Sequence, residues 1–222
     1  STALSVRTIW VSVNLLLRIE SLLGRVVCPE TSSYPWTEFR GRRQDGVIQK
    51  MTDEQWHAML DVHLTAPFRI LRTASAYIRQ AARTEAAAGI ENFRKVVNIS
   101  SIAGIGGNPG QVNYAAGKAG ILGLTKTMAK EWGRYKVNVN AVAFGLIATR
   151  LTQAQTDAGA MDVQGREIRV GLPADRIEAI ERAIPLGRSG TPAEAAGAVA
   201  LLCYPESNYI SGQTLICAGG YC

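Results

Sequence analysis

A hydroxyl, a phenol and an ammonium come close together in the stretch Lys95–Lys118, K-V-V-N-I-S-S-I-A-G-I-G-G-N-P-G-Q-V-N-Y-A-A-G-K. Lys95–Ser101 is a short run rich in β-branched residues, the pattern of a buried strand, and it ends on Ser101. A Gly/Pro/Asn loop follows, and a helix opens near Val112. On that helix Tyr114 and Lys118 are four residues apart, so they share one face, one turn from each other. Ser101 can point at the same spot across the loop. A phenol with a pKa of about 10 is a poor acid or base at neutral pH. An ammonium within hydrogen-bonding reach favours the phenolate and lowers that pKa. The phenol can then give a proton to a carbonyl oxygen as hydride arrives, or take one from an alcohol in reverse, while Ser101 donates to the same oxygen. The bland alternative is an ordinary amphipathic helix with an exposed lysine and a half-buried tyrosine.

The N-I-S-S strand, Ser101 and Tyr114-x-x-x-Lys118 at this spacing resemble the short-chain dehydrogenase/reductase family, most closely its 3-oxoacyl-[acyl-carrier-protein] reductase branch. The resemblance implies an α/β fold: a Rossmann-like, doubly wound parallel sheet with helices on both faces. It also implies an NAD or NADP cofactor, a ketone or acyl-thioester substrate and a homo-oligomer, and the four cysteines, with no C-x-x-C among them, read as reduced thiols in a cytoplasmic setting. Ser101, Tyr114 and Lys118 match the family's catalytic positions, and Lys118 would also bind the nicotinamide ribose.

The elements around these residues extend the likeness. Thr52-Asp-Glu-Gln55 is a capping box opening a long helix from Asp53 to about Arg83. Pro67 lies inside that helix and lacks an N–H, so the carbonyl of His63 loses its helical partner and a kink is expected there. In the family an Asn occupies the place of His63, and the freed carbonyl holds a water that links the lysine to bulk solvent. The resemblance therefore places His63 in a proton relay through its backbone, with an altered side chain. Lys136–Ala143 alternates as a strand and runs into Phe144-Gly145-Leu146-Ile147-Ala148-Thr149. Here the family has a Pro-Gly turn and then backbone contacts to the nicotinamide carboxamide. Gly145, Ile147 and Thr149 fall on those cofactor positions, and Phe144 stands where Pro is usual.

Leu151–Arg188 is polar and matches the family's substrate-binding region, though a surface excursion reads equally well. Thr191-Pro192-Ala193-Glu194 is a second capping box, opening an Ala-rich helix to about Cys203 before a last strand and its glycines. By resemblance, that helix and strand build one tetramer interface. The paired long helices build the other, with Ala115, Ala116, Gly117, Ala119 and Gly120 allowing close approach.

The resemblance spans Asp45 to Cys222, and residues 1–44 lie outside it within what reads as a single domain, 1–222. Ile9–Val27 is apolar with Arg18, Glu20 and Arg25 interspersed: a strand running into an amphipathic helix, or one helix ended by Gly24. Gly24 and Gly41 stand alone, so no glycine-rich phosphate-binding turn is visible. The nucleotide-binding half is thus read as shortened or replaced. A short natural variant, an out-of-frame start and an excised segment compete, the abrupt change near Asp45 favouring the last two, and the Arg-bearing, acid-poor start hints at a transit peptide. The alternative function is a cofactor-deficient remnant serving as a non-catalytic oligomer subunit, or an inactive truncated product.

Composition excludes other classes. The net charge of +6 is scattered, and only Arg40, Arg42 and Arg43 argue for nucleic acid, so none is expected as a partner. No apolar run reaches the length of a membrane span. Cys28, Cys203, Cys217 and Cys222 form no metal spacing, and His57 and His63 are the only histidines, so no metal is expected. Asn98-Ile99-Ser100 matches a glycosylation acceptor but lies inside the expected strand.

Overall fold

The computed structural model describes residues 8–11, 46–149, 152, 154, 160–163, 166–169 and 171–221. Gly24, Gly41, the Arg40–Arg43 run, Cys28, Cys222 and Ile9–Val27 beyond Val11 lie outside the described residues.

Four parallel strands form the main sheet in the order β1-β2-β3-β6: β1 Thr8–Val11, β2 Arg94–Ser101, β3 Val137–Phe144 and β6 Thr214–Cys217. The register of the central pair runs from Arg94 opposite Val137 to Ser101 opposite Phe144, so both strands end together. Along the chain between β3 and β6 comes a separate antiparallel pair, β4 Ala160–Val163 and β5 Arg166–Arg169. This pair and helix α5, Ala174–Ala183, give regular structure to the polar stretch before Arg188.

Thr52 caps α1 (Asp53–Leu60), and its box with Gln55 is complete. Next comes a π-helical turn, Asp61–Thr65, and then α2, Ala66–Ala87. The kink expected at Pro67 is thus absorbed on its N-terminal side. The turn is closed by the Ala66 N–H donating to Asp61 O, and the helix runs on past Arg83. A short helix α3 (Ala103–Gly106), the long α4 (Val112–Trp132) and α6 (Pro192–Leu201), capped by Thr191, complete the fold.

Alternation along the strands builds a core on each face of the sheet. Val96, Val137 and Val139 meet Leu71 and Ile78 of α2 with Met128 and Trp132 of α4. Val97 and Val142 face the other way, onto Ala198 and Val199 of α6 and Leu202. The even positions of β2 continue toward α4. Asn98 is fully buried, with its amide donating to Thr125 Oγ1 at 2.8 Å, as expected of an acceptor sequence hidden inside a strand.

Candidate active site

The site lies at the carboxyl ends of β2 and β3 and against the first turns of α4. Asn113 starts that helix: it is fully buried, its amide donates to Gln55 O at 2.9 Å, and its Oδ1 accepts the Tyr114 N–H at 2.8 Å. Ser100, on the β2 face toward α4, donates to Lys118 O at 2.7 Å. Gly104 makes the tightest approach. A Cβ there would lie 2.5 Å from the Lys118 carbonyl carbon and 2.8 Å from Ala119 N, both backbone atoms. Ser100 pins α4 to β2, Gly104 lets α3 close onto it and Asn113 ties it to α1, and none of the three has a role in the sequence expectations. The signal available was faint: two adjacent serines whose side chains must leave opposite faces, and an Asn beside the Tyr.

Lys118 is 8% exposed, which removes the reading of an exposed lysine on an ordinary amphipathic helix. Its Nζ donates to Ile99 O at 3.0 Å and stands 5.6 Å from the centre of the Tyr114 ring. Burial holds its pKa down at about 8. Ser101 ends β2, and its Oγ accepts the Ala103 N–H at 3.2 Å, which leaves the hydroxyl's own proton to be donated elsewhere.

His63, on the π turn, meets Tyr114 edge to face, with ring centres 4.9 Å apart and planes at 90°. Burial, and then the charge of Lys118, hold its pKa at about 3, so the imidazole is neutral at ordinary pH. Its Nδ1 is buried without a hydrogen-bond partner among the described residues. Gly117 and Gly120 accommodate this neighbour within the chain. A Cβ on Gly117 would lie 3.2 Å from His63 Cβ, and one on Gly120 would lie 2.8 Å from a Leu64 methyl.

The turn Gly145–Thr149 leaves β3 beside Ser101, tied to it by the Ile102 N–H donating to Phe144 O at 3.0 Å. Gly145 donates to Cys217 O, and a Cβ on it would fall 2.8 Å from Ala218 Cβ, so only glycine fits. The Ala148 N–H donates to Gly190 O and the Gly190 N–H to Leu146 O, bracketing Ile147, whose own N–H has no partner among the described residues. The Thr149 N–H is already engaged, donating to Thr152 Oγ1 at 2.8 Å, while the Thr152 hydroxyl donates to Ile147 O. Tyr114, Lys118 and His63 thus pack together near the start of α4, Ser101 ends β2, and the turn carrying Ile147 and Thr149 lies at the end of the neighbouring strand. Among the described residues no cluster of His, Cys, Asp or Glu could hold a metal, and no helix is long and apolar enough to cross a membrane.

Residues 39–222 match the model of a family described as enoyl-(acyl carrier protein) reductase. The chain is 36% identical over 180 residues to the 3-oxoacyl-[acyl-carrier-protein] reductase FabG of Thermotoga maritima, covering 81% of this chain and 62% of that protein. It is 37% identical over 182 residues to the FabG of Vibrio cholerae, and 35% over 180 to nodulation protein G of a Rhizobium species. These matches cover 81% of this chain, 63% of the Vibrio protein and 62% of the Rhizobium one. The chain therefore spans a little under two thirds of the length of these relatives. Among solved structures it resembles a 4-hydroxyisoleucine dehydrogenase complexed with NADH, with a TM-score of 0.62 and 25% identity over 82% of this chain and 65% of that one.

Proposed function

The chain belongs to the short-chain dehydrogenase/reductase family, and from that membership we propose that it is an NAD(P)-dependent oxidoreductase. It interconverts a ketone, of the 3-oxoacyl thioester class, with the corresponding secondary alcohol. The observation that carries this reading is the buried Lys118 ammonium beside Tyr114 at the carboxyl end of a parallel strand, where open α/β sheets bind their ligands.

The residues present fit the nicotinamide end of such a cofactor. The Lys118 ammonium and Tyr114 phenol suit a ribose hydroxyl, and the Ile147 N–H after Gly145, unpartnered among the described residues, suits a carboxamide oxygen. Thr149 can add its hydroxyl, which lies 3.1 Å from Thr152 Oγ1. When bound, the nicotinamide supplies hydride to a carbonyl carbon or accepts it from an alcohol. Tyr114 donates its phenolic proton to the substrate oxygen in reduction and recovers it from the alcohol in oxidation. Ser101 steadies that oxygen with its free hydroxyl proton. The Lys118 ammonium, 5.6 Å from the centre of the Tyr114 ring, stabilises negative charge that develops on the phenolic oxygen as it transfers the proton. The His63 backbone carbonyl, which Pro67 four residues on has no N–H to claim, would accept a hydrogen bond from a water that links Lys118 to bulk solvent.

A homo-oligomer is part of the proposal, supported by exposed apolar side chains along α6 and β6, among them Leu201 and Ile216. The deciding experiment is titration of the protein with NADH and NADPH by fluorescence, followed by acetoacetyl-thioester reduction by wild type and Tyr114→Phe. Saturable binding and turnover that Tyr114→Phe abolishes support the proposal. A folded protein that binds neither nucleotide refutes it and favours the non-catalytic subunit.

A further inference from the structure

The side chain of His63 has no part in the chemistry just proposed, which uses only its backbone, yet it packs directly on the tyrosine. The chain makes particular room for it. The Asp61–Thr65 turn holds one more residue than an α-helical turn, since the Ala66 N–H reaches back five residues to Asp61 O. One extra residue rotates the following positions by about 100° around the axis relative to an unbroken helix. Across the gap, Gly117 lacks the Cβ that would crowd His63 Cβ at 3.2 Å. The imidazole meets the Tyr114 ring at 90° with centres 4.9 Å apart. Its buried Nδ1 has no partner among the described residues, so no hydrogen bond at that nitrogen sets the ring's position. Lys118 Nζ lies 5.6 Å from the centre of the same Tyr114 ring. The imidazole stays neutral there and adds no second positive charge.

We infer that the His63 side chain is a positioning residue for Tyr114, an edge-to-face partner that holds the phenol in the orientation from which it transfers its proton. This rests on the oxidoreductase reading for its catalytic consequence, though not for the contact itself. Three variants separate the ring from its nitrogens. His63→Phe keeps an aromatic partner and deletes both nitrogens. His63→Asn keeps a polar group and deletes the ring, and His63→Ala deletes both. For each, kcat and KM for acetoacetyl-thioester reduction are measured beside the Tyr114 ring resonances, which are assigned by their loss in Tyr114→Phe.

The expected result is a loss in kcat of about two- to twelve-fold in His63→Ala and His63→Asn, the span an edge-to-face aromatic pair is worth. KM is unchanged, and His63→Phe recovers most of the loss. The ring-current displacement of the Tyr114 resonances persists in His63→Phe and collapses in the other two. A His63→Phe protein as slow as His63→Ala would overturn the inference, since the nitrogens would then be what matters. So would a His63→Asn protein equal to wild type, or an effect confined to KM. If wild type turns over with neither nucleotide, the oxidoreductase reading fails by itself, and the resonances alone decide the contact: unchanged in His63→Ala, they overturn it.

Discussion

Two lysines are buried against the same strand, and only one is a candidate for catalysis. Lys95, near the start of β2, is 4% exposed and donates from Nζ to Ser207 Oγ at 2.9 Å. Lys118 is buried to a similar degree and donates to the Ile99 carbonyl. Burial lowers the pKa of both. Lys95 even has the serine hydroxyl as a direct partner, whereas among the described residues Lys118 has a backbone carbonyl. A buried, pKa-depressed lysine is therefore no sign of an active site. The difference is position. Lys95 sits toward the amino end of a parallel sheet, where Ser207 is itself buried and occupied, its hydroxyl donating to Leu202 O or Tyr204 O. Lys118 reaches toward the carboxyl end of the strand, beside the Tyr114 ring, where β2 ends on Ser101 and β3 runs into the Gly145–Thr149 turn.

The largest expected effect tests that distinction directly. Tyr114→Phe and Lys118→Met each lower kcat by about 10²- to 10⁴-fold, the usual contribution of a positioned acid/base. Lys95→Met leaves turnover where it was. Steady-state kinetics on the three variants would collapse the comparison if Lys95→Met were as slow as Lys118→Met.

Next in size is the packing that seats Lys118. Gly104→Ala forces a methyl to 2.5 Å from the Lys118 carbonyl carbon, and backbone on both sides cannot give. The expected cost is about 1–3 kcal/mol of stability, together with a loss of activity, because Lys118 moves with its helix. At Gly106, two residues on, a methyl would meet nothing within 4 Å, so Gly106→Ala serves as the control. Equal melting temperatures for the two variants would mean that the close approach at Gly104 does not hold the lysine.

Much of this was legible in the sequence, and the remainder has physical reasons. Ser101 at a strand end and Tyr114 and Lys118 one turn apart on a helix were readable as positions because strand alternation and helical spacing are local rules, and both capping boxes formed as their residue types demanded. Pro67 announced a lost hydrogen bond but could not say how the chain would absorb it. The chain used a π turn ahead of the proline, which brought His63 onto Tyr114. Gly104 and Ser100 act on the backbone of Lys118, a contact between elements that no spacing along the chain encodes. Ile9–Val27 allowed a strand or a helix because a short apolar run carries no period. Thr8–Val11 resolved as a strand by pairing with β2, a long-range partner that local sequence could not supply.

The smallest effect concerns stability, where the two lysines should behave alike. Keeping the Lys118 ammonium buried costs the fold on the order of 3 kcal/mol while both states hold the proton, that is, below about pH 8. Between about 8 and 10.5 the folded chain releases that proton and the unfolded chain keeps it. The unfolded state then binds more protons, so unfolding free energy rises with pH through this window. Lys118→Met removes the cost but also the hydrogen bond to Ile99 O, leaving a net gain of about 1 kcal/mol. That gain should be complete below about pH 8 and fade toward 10.5 in melting curves taken across the range. Lys95→Met should shift stability with the same sign, since burial is its first cause too. Lysines alike in stability and opposite in turnover would fix the contrast as one of position. A Lys118→Met protein less stable than wild type at neutral pH would instead mean that its surroundings stabilise the ammonium, and the two burials would then differ in kind.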